Sequence, residues 1–194
     1  KWIYARSVPV LTLRGTGAPA VARGLAVNGF DSGRLVAVEL LDGQTVWEAR
    51  LAVPRGRSEL ERLVDIDAGP VIADNTVFAV TYQGRIAALD LLSGDLLWQR
   101  DMSSYTGLSV DNDFLFVTDA DSQGWALDRI NSASTWRMEK LRARGLTAPA
   151  VLGEHVIVGD AEGYVHWLSR EDGRQVLRVK VGSAPIFAQL TVAE

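Results

Sequence analysis

The chain has 194 residues, no cysteine, a formal net charge of −4 and 47% hydrophobic residues. That composition excludes disulfides, thiolate metal sites and cysteine nucleophiles, and the mild acidity without a Lys/Arg run excludes a nucleic-acid-binding stripe. No apolar run reaches the roughly 18–20 residues that a membrane helix needs.

In chain order, Trp2 sits where the closing tryptophan of a repeat unit belongs. Leu11-Thr12-Leu13-Arg14-Gly15 and Ala18-Pro19 follow, and the first full repeat then runs from Gly33 to Trp47. Copies return from Gly84 to Trp98, from Ser122 to Trp136 and from Gly163 to Leu177. Their anchor residues Ala37, Ala88, Ala126 and Trp167 are separated by 51, 38 and 41 residues. Units of roughly 40–45 residues with several short strands are the size of propeller blades. The fold class expected is therefore all-β: a β-propeller of four-stranded antiparallel blades, as a single partial domain over 1–194.

The second unit shows how a blade is specified. Pro70-Val71-Ile72-Ala73 reads as a short strand and Asp74-Asn75 as a turn. Val77-Phe78-Ala79-Val80 is an apolar run suited to a strand covered on both faces. Tyr82-Gln83-Gly84 turns the chain into Arg85–Asp90, Ser93-Gly94 turns it again, and Leu96–Arg100 forms the outermost strand. Ala88 is small where blades crowd, Asp90 can accept amide hydrogen bonds from its turn, and Trp98 offers a large ring with one N–H for a neighbouring carbonyl. Ser132 replaces the turn glycine in the third copy, and Leu177 replaces the closing tryptophan in the fourth.

About four and a half blades are present. Trp2 reads as the end of a blade whose other strands would precede it, and Ala184-Pro185-Ile186-Phe187 as the opening strand of another. Such a set of blades does not close a ring, which implies a piece of a longer protein.

Two connections interrupt the regularity: the one before the first blade, carrying Leu11, Leu13 and Arg14, and the one after it. The second causes the 51-residue spacing and carries Glu59–Asp67, including Asp65 and Asp67. Each leads into the first strand of a blade, so both belong on one face of adjacent blades. Long connections are where binding residues concentrate. Ser58-Glu59-Leu60-Glu61 has the form of a capping box, with Leu60, Leu63 and Val64 on one side of a short helix. Two leucines beside an arginine, near a pair of aspartates, suit a compact protein-binding patch; the same residues could instead tuck under their loops, with Arg14 paired to Asp65 or Asp67.

Other candidates point to structure. His155 and His166 lack metal-ligand spacing, and His166 beside Trp167 reads as packing. The carboxylates of Asp119-Ala120-Asp121 and Asp160-Ala161-Glu162 sit in turns. Arg55-Gly56-Arg57 reads as a solvated loop tip, and Trp125 as a residue facing a central channel.

Ala88-Leu89-Asp90-Leu91-Leu92-Ser93-Gly94-Asp95-Leu96-Leu97-Trp98 resembles the tryptophan-docking repeat of the quinoprotein (PQQ-type) propellers, which usually have eight blades. Glu48, Gln99 and Arg137 after the closing tryptophans set it apart from WD40. Two classes share this repeat: dehydrogenases that bind pyrroloquinoline quinone and calcium, and the BamB family of outer-membrane assembly lipoproteins. No grouped set of the six to eight oxygens that calcium takes is visible. Three segments resemble the BamB family instead: Leu11–Gly15 with Ala18-Pro19, Glu59–Asp67, and Gly159-Asp160-Ala161-Glu162-Gly163-Tyr164-Val165-His166-Trp167. The match runs across essentially the whole chain, as a C-terminal half.

That resemblance implies a non-catalytic scaffold of the BAM complex without cofactor or metal. It would be lipid-anchored, through a cysteine in a preceding region, at the periplasmic face of the outer membrane. The partner implied is BamA, bound through its POTRA domains by Leu11, Leu13, Arg14, Asp65 and Asp67, with unfolded outer-membrane proteins as clients. The alternatives are a PQQ-dependent dehydrogenase and a generic propeller interaction module.

Overall fold

Short β-rich segments separated by tight turns pair with their sequence neighbours, because a short hairpin closes at low entropic cost. The structure, a computed structural model, describes residues 3, 17–30, 33–52, 66, 68–82 and 84–192. Among them are sixteen strands in four four-stranded antiparallel sheets, each with its strands in sequence order. The first blade is β1 (Ala20–Ala22), β2 (Leu25–Phe30), β3 (Arg34–Glu39) and β4 (Thr45–Arg50). The second is β5 (Val71–Ala73), β6 (Thr76–Val80), β7 (Arg85–Asp90) and β8 (Leu96–Asp101). The third is β9 (Leu108–Val110), β10 (Phe114–Thr118), β11 (Gly124–Asp128) and β12 (Ser134–Met138). The fourth is β13 (Ala150–Leu152), β14 (His155–Gly159), β15 (Tyr164–Ser169) and β16 (Gln175–Lys180). The blade expected over 70–100 is thus present strand for strand.

The chain forms two compact units, Lys1–Tyr105 and Thr106–Glu194, each holding two blades. In the first, Leu35, Trp47, Ile66, Val77, Leu89 and Leu91 belong to one buried cluster. In the second, Phe116, Ala126, Trp136, Met138, Val156 and Leu168 do the same. β3, β6, β7 and β10 each carry four successive buried residues, as strands covered on both faces must. The outermost strands are largely exposed.

Each blade has a register shift at the same point on its third strand, directly after Ala37, Ala88, Ala126 and Trp167. These anchors lie opposite Trp47, Trp98, Trp136 and Leu177. Three blades pair a small residue with tryptophan, and the fourth exchanges the sizes, with Trp167 opposite Leu177. The apparent loss of the closing tryptophan is therefore a swap across one strand pair.

Within each unit the closing tryptophan joins two blades. Trp47 Nε1 donates to Leu91 O at 2.8 Å, and Trp136 Nε1 donates to Arg170 O at 2.8 Å. Each ring lies on a turn glycine in the left-handed region: a Cβ on Gly94 (φ 75°) would fall 2.6 Å from Trp47 Cδ2, and one on Gly173 (φ 68°) 2.5 Å from Trp136 Cε3. Asp90 Oδ1 accepts from Leu92 N and Ser93 N at 2.9 Å, and those amides hold its carboxyl below the usual range. Asp128 Oδ1 likewise accepts hydrogen bonds from Ile130 N and Asn131 N. Ser132 keeps the turn by adopting φ 62° itself.

Two expectations need correction. Trp125 lies on β11 with Arg137 of β12, the strand farthest from β9, over its ring at 4.8 Å, and its Nε1 donates to Asp119 Oδ2 at 2.8 Å. A residue so engaged with the outermost strand does not face a central channel. Ala184–Phe187 forms no strand among the described residues. Ile186 N instead donates to Asp160 O at 3.0 Å, and its side chain covers Gly159.

Candidate functional site

In an antiparallel meander the chain enters the first strand and leaves the fourth at the same end, beside the turn between the second and third. The segments carrying Leu11–Arg14 and Glu59–Asp67 therefore belong to one end of the first unit. Leu11, Leu13, Arg14, Asp65 and Asp67 themselves lie outside the described residues, as do Ser58–Val64 and Arg55–Arg57. The structure shows the frame from which those segments spring.

The frame is tightly built. Leu51 N donates to Gly33 O at 2.8 Å as the chain leaves β4, and Leu51 and Ala52 are buried. Ala52 Cβ packs toward Gly84, where an added Cβ would sit 3.0 Å from it. The chain is held again at Ile66, which is 1% exposed and lies on Gly29 of β2; a Cβ on Gly29 would fall 2.7 Å from Ile66 Cβ. Ile66 stands between Asp65 and Asp67 in sequence, so a buried anchor fixes the chain between the two aspartates. Gly29→Val is expected to lower stability by about 1–3 kcal/mol through overpacking, and Ile66→Ala by about 2–4 kcal/mol through the cavity left behind. Urea midpoints followed by circular dichroism check both; an unshifted midpoint for either refutes the anchor.

The two segments also meet. A Cβ on Gly17 would lie 2.6 Å from Ala68 C and from Gly69 Cα, and one on Gly69 would lie 2.5 Å from Ala18 O. Backbones pass this closely only where neither residue carries a side chain. Gly17 is three residues after Arg14, and Gly69 two after Asp67, so the exits of both candidate segments touch.

The third segment, Gly159–Trp167, forms a hub in the second unit. Asp160 Oδ1 accepts from Glu162 N and Tyr164 N at 2.9 Å each. Its Oδ2 bonds His166 Nε2 at 2.8 Å and Arg144 at 2.7 Å. An ionised carboxylate only accepts, so His166 is the donor. Burial pushes the Asp160 carboxyl up, but the bonds from His166, Tyr164 N, Arg144 and Glu162 N outweigh it and hold the group at about 2. Arg144 also binds Glu162 Oε2 at 2.8 Å and comes from the connection between the third and fourth blades. That connection is further pinned by Thr147, whose O accepts from Thr118 Oγ1 and whose Oγ1 accepts from Gly159 N.

The third blade carries the same device. Asp119 Oδ1 accepts from Asp121 N and Gln123 N, and Oδ2 from the side chain six residues on, here Trp125. Asp119-to-Trp125 and Asp160-to-His166 share this spacing, a signal present in the sequence that links His166 to a carboxylate. A second cluster went unread: Arg170 binds Asp111 Oδ2 and Asp113 Oδ2 at 2.6 Å each, lies 4.8 Å over Phe114 and supplies the carbonyl for Trp136.

Residues 1–138 match the family model described as outer membrane protein assembly factor BamB. The chain belongs to the BamB family. It is 50% identical over 177 residues to the outer membrane protein assembly factor BamB of Pseudomonas aeruginosa, covering 91% of this chain and 47% of that protein. To its counterpart in Escherichia coli K12 it is 39% identical over 187 residues, covering 96% and 48%. The chain thus spans about half the length of the curated relatives it matches. The crystal structure of BamB from Moraxella catarrhalis superposes with a TM-score of 0.90 at 31% identity, over 99% of this chain and 57% of that one. A europium-containing methanol dehydrogenase matches with a TM-score of 0.69 at 12% identity over 84% of this chain and 41% of that one, which shows the propeller fold alone.

Proposed function

We propose that this chain is part of a non-catalytic scaffold in outer-membrane protein assembly, one propeller domain that binds the POTRA domains of BamA. The protein would work at the periplasmic face of the outer membrane, held by a lipid anchor, and would help deliver unfolded outer-membrane proteins. One observation supports the binding reading: Gly17, just after the first interrupting segment, touches Ala68 and Gly69, just after the second. The relatives' names, as assembly factors, support the process. Leu11 and Leu13 would supply buried area, while Arg14, Asp65 and Asp67 would set orientation and partner choice.

Calorimetric titration of the full chain with the POTRA region of BamA tests this. Arg14→Glu, and Asp65→Ala with Asp67→Ala, are expected to weaken binding by about tenfold or more, which is about 1.4 kcal/mol. Circular dichroism should be unchanged in each variant. Absent binding by the unsubstituted chain, or full binding by folded variants, would sink the proposal.

A further inference from the structure

In three blades the end of the sheet beside the second-to-third-strand turn carries a cation matched by a carboxylate. Arg34 pairs with Glu48, Arg85 with Asp101 at 3.2 Å, and Arg137 with Glu139 at 3.0 Å. The first two pairs cross neighbouring strands and the third lies along one segment, and each neutralises its own charges.

The fourth blade breaks the pattern. By register, Tyr164 lies opposite Lys180 and His166 opposite Arg178, as Trp125 lies opposite Arg137. Tyr164 and Lys180 thus stand where the third blade has Gln123 and Glu139. The acid of the third blade is replaced by a second cation. Arg178 lies 4.7 Å and Lys180 5.0 Å from the centre of the Tyr164 ring, and Arg144 approaches the ring at 5.7 Å. Both acids nearby are taken: Asp160 by Arg144 and His166, and Glu162 by Arg144. Among the described residues, no carboxylate stands within ion-pairing distance of Arg178 or Lys180, and both side chains are exposed.

We infer that Tyr164, Arg178 and Lys180 form a docking point for an acidic, extended segment of a partner protein. The ring gathers two cations whose charge the blade leaves unmatched. The missing group is a carboxylate, since the third blade places Glu139 beside Arg137, the cation at the position of Arg178. Arg178 and Lys180 are two residues apart on one face of β16, so acids at alternate positions of an extended segment would meet both. The protein's net charge of −4 repels polyanions in general, so attraction is local to this patch. The inference rests on the fourth blade alone and is independent of the proposed contact with BamA.

The test titrates the full chain, at low and at physiological salt, with a capped peptide of glutamates alternating with threonines. Its glutamine counterpart is the control, with vesicles of phosphatidylcholine and phosphatidylglycerol as a third probe. The glutamate peptide is expected to bind about tenfold tighter than the glutamine peptide and to weaken with salt. Arg178→Glu with Lys180→Glu should abolish that preference, while the surface control Arg23→Glu with Lys140→Glu leaves it in place. Arg178→Gln with Lys180→Gln, which brings in no new charge, should also remove it. The proposal is overturned if the patch variants keep the preference, if the control loses it equally, or if the vesicles bind through these residues and the peptide does not. In those cases the two cations only guard an edge strand against pairing.

Discussion

Asp160→Ala is expected to destabilise the second unit by about 3–5 kcal/mol, the range for removing one partner of a buried charge pair. The carboxylate is fully buried and satisfies four donors at once: two backbone amides, His166 and Arg144. Its loss strands a buried imidazole, whose Nδ1 already lacks a partner, and removes the side-chain tie between Arg144 of the 139–149 connection and Asp160 of the fourth blade. Asp160→Asn keeps one oxygen for the amides of Glu162 and Tyr164 but turns an NH₂ toward two donors, so it recovers only part of the loss. The pH dependence has a definite sign. A carboxyl held at about 2, against 3.8 when unfolded, stabilises the fold above pH 3.8 and loses that contribution as pH falls toward 2. The contribution at neutral pH is about 2 kcal/mol. Urea midpoints measured from pH 6 down to pH 2 should fall more steeply for the parent chain than for Asp160→Asn. Parallel curves would show that this group does not titrate in that window.

The blades were legible because their signals are local. Repeating apolar runs, turn pairs such as Asp74-Asn75 and the turn chemistry of Asp90 each act over a few residues, and the strands of 70–100 formed where those signals put them. The role of Asp160 was half legible: its turn was expected, but the bond to Arg144 crosses from a connecting segment no periodicity describes. Arg170 was invisible for a stronger reason, since its partners Asp111 and Asp113 lie 59 and 57 residues away on another blade. That Trp167 stands opposite Leu177 was likewise not legible, because each copy aligns by position along the chain and not across a strand pair. For the candidate BamA-binding segments, the sequence supplied the residues and the structure supplied what no local pattern carries: the meeting of Gly17 with Gly69 and the anchor at Ile66.

The contact that joins two blades is expected to show the second large effect. Trp136→Ala should cost about 3–5 kcal/mol, combining lost apolar burial, a cavity and the orphaned Arg170 carbonyl. Trp136→Phe retains most of the ring area and lacks the N–H, so its cost should be nearer 1–2 kcal/mol. Gly173 approaches the same contact from the other side. Gly173→Ala adds a Cβ 2.5 Å from the ring at φ 68°, which brings a steric clash on top of the about 1–2 kcal/mol that a side chain pays in the left-handed region. Removing the ring frees that space, so in the double variant the Gly173→Ala increment should shrink to the backbone cost alone. Urea denaturation followed by far-ultraviolet circular dichroism, which does not depend on the tryptophan being replaced, gives the four corners of this cycle. A coupling of about 1 kcal/mol or more places the ring on the turn in solution. Additive effects would mean that the two blades are held by something other than Trp136.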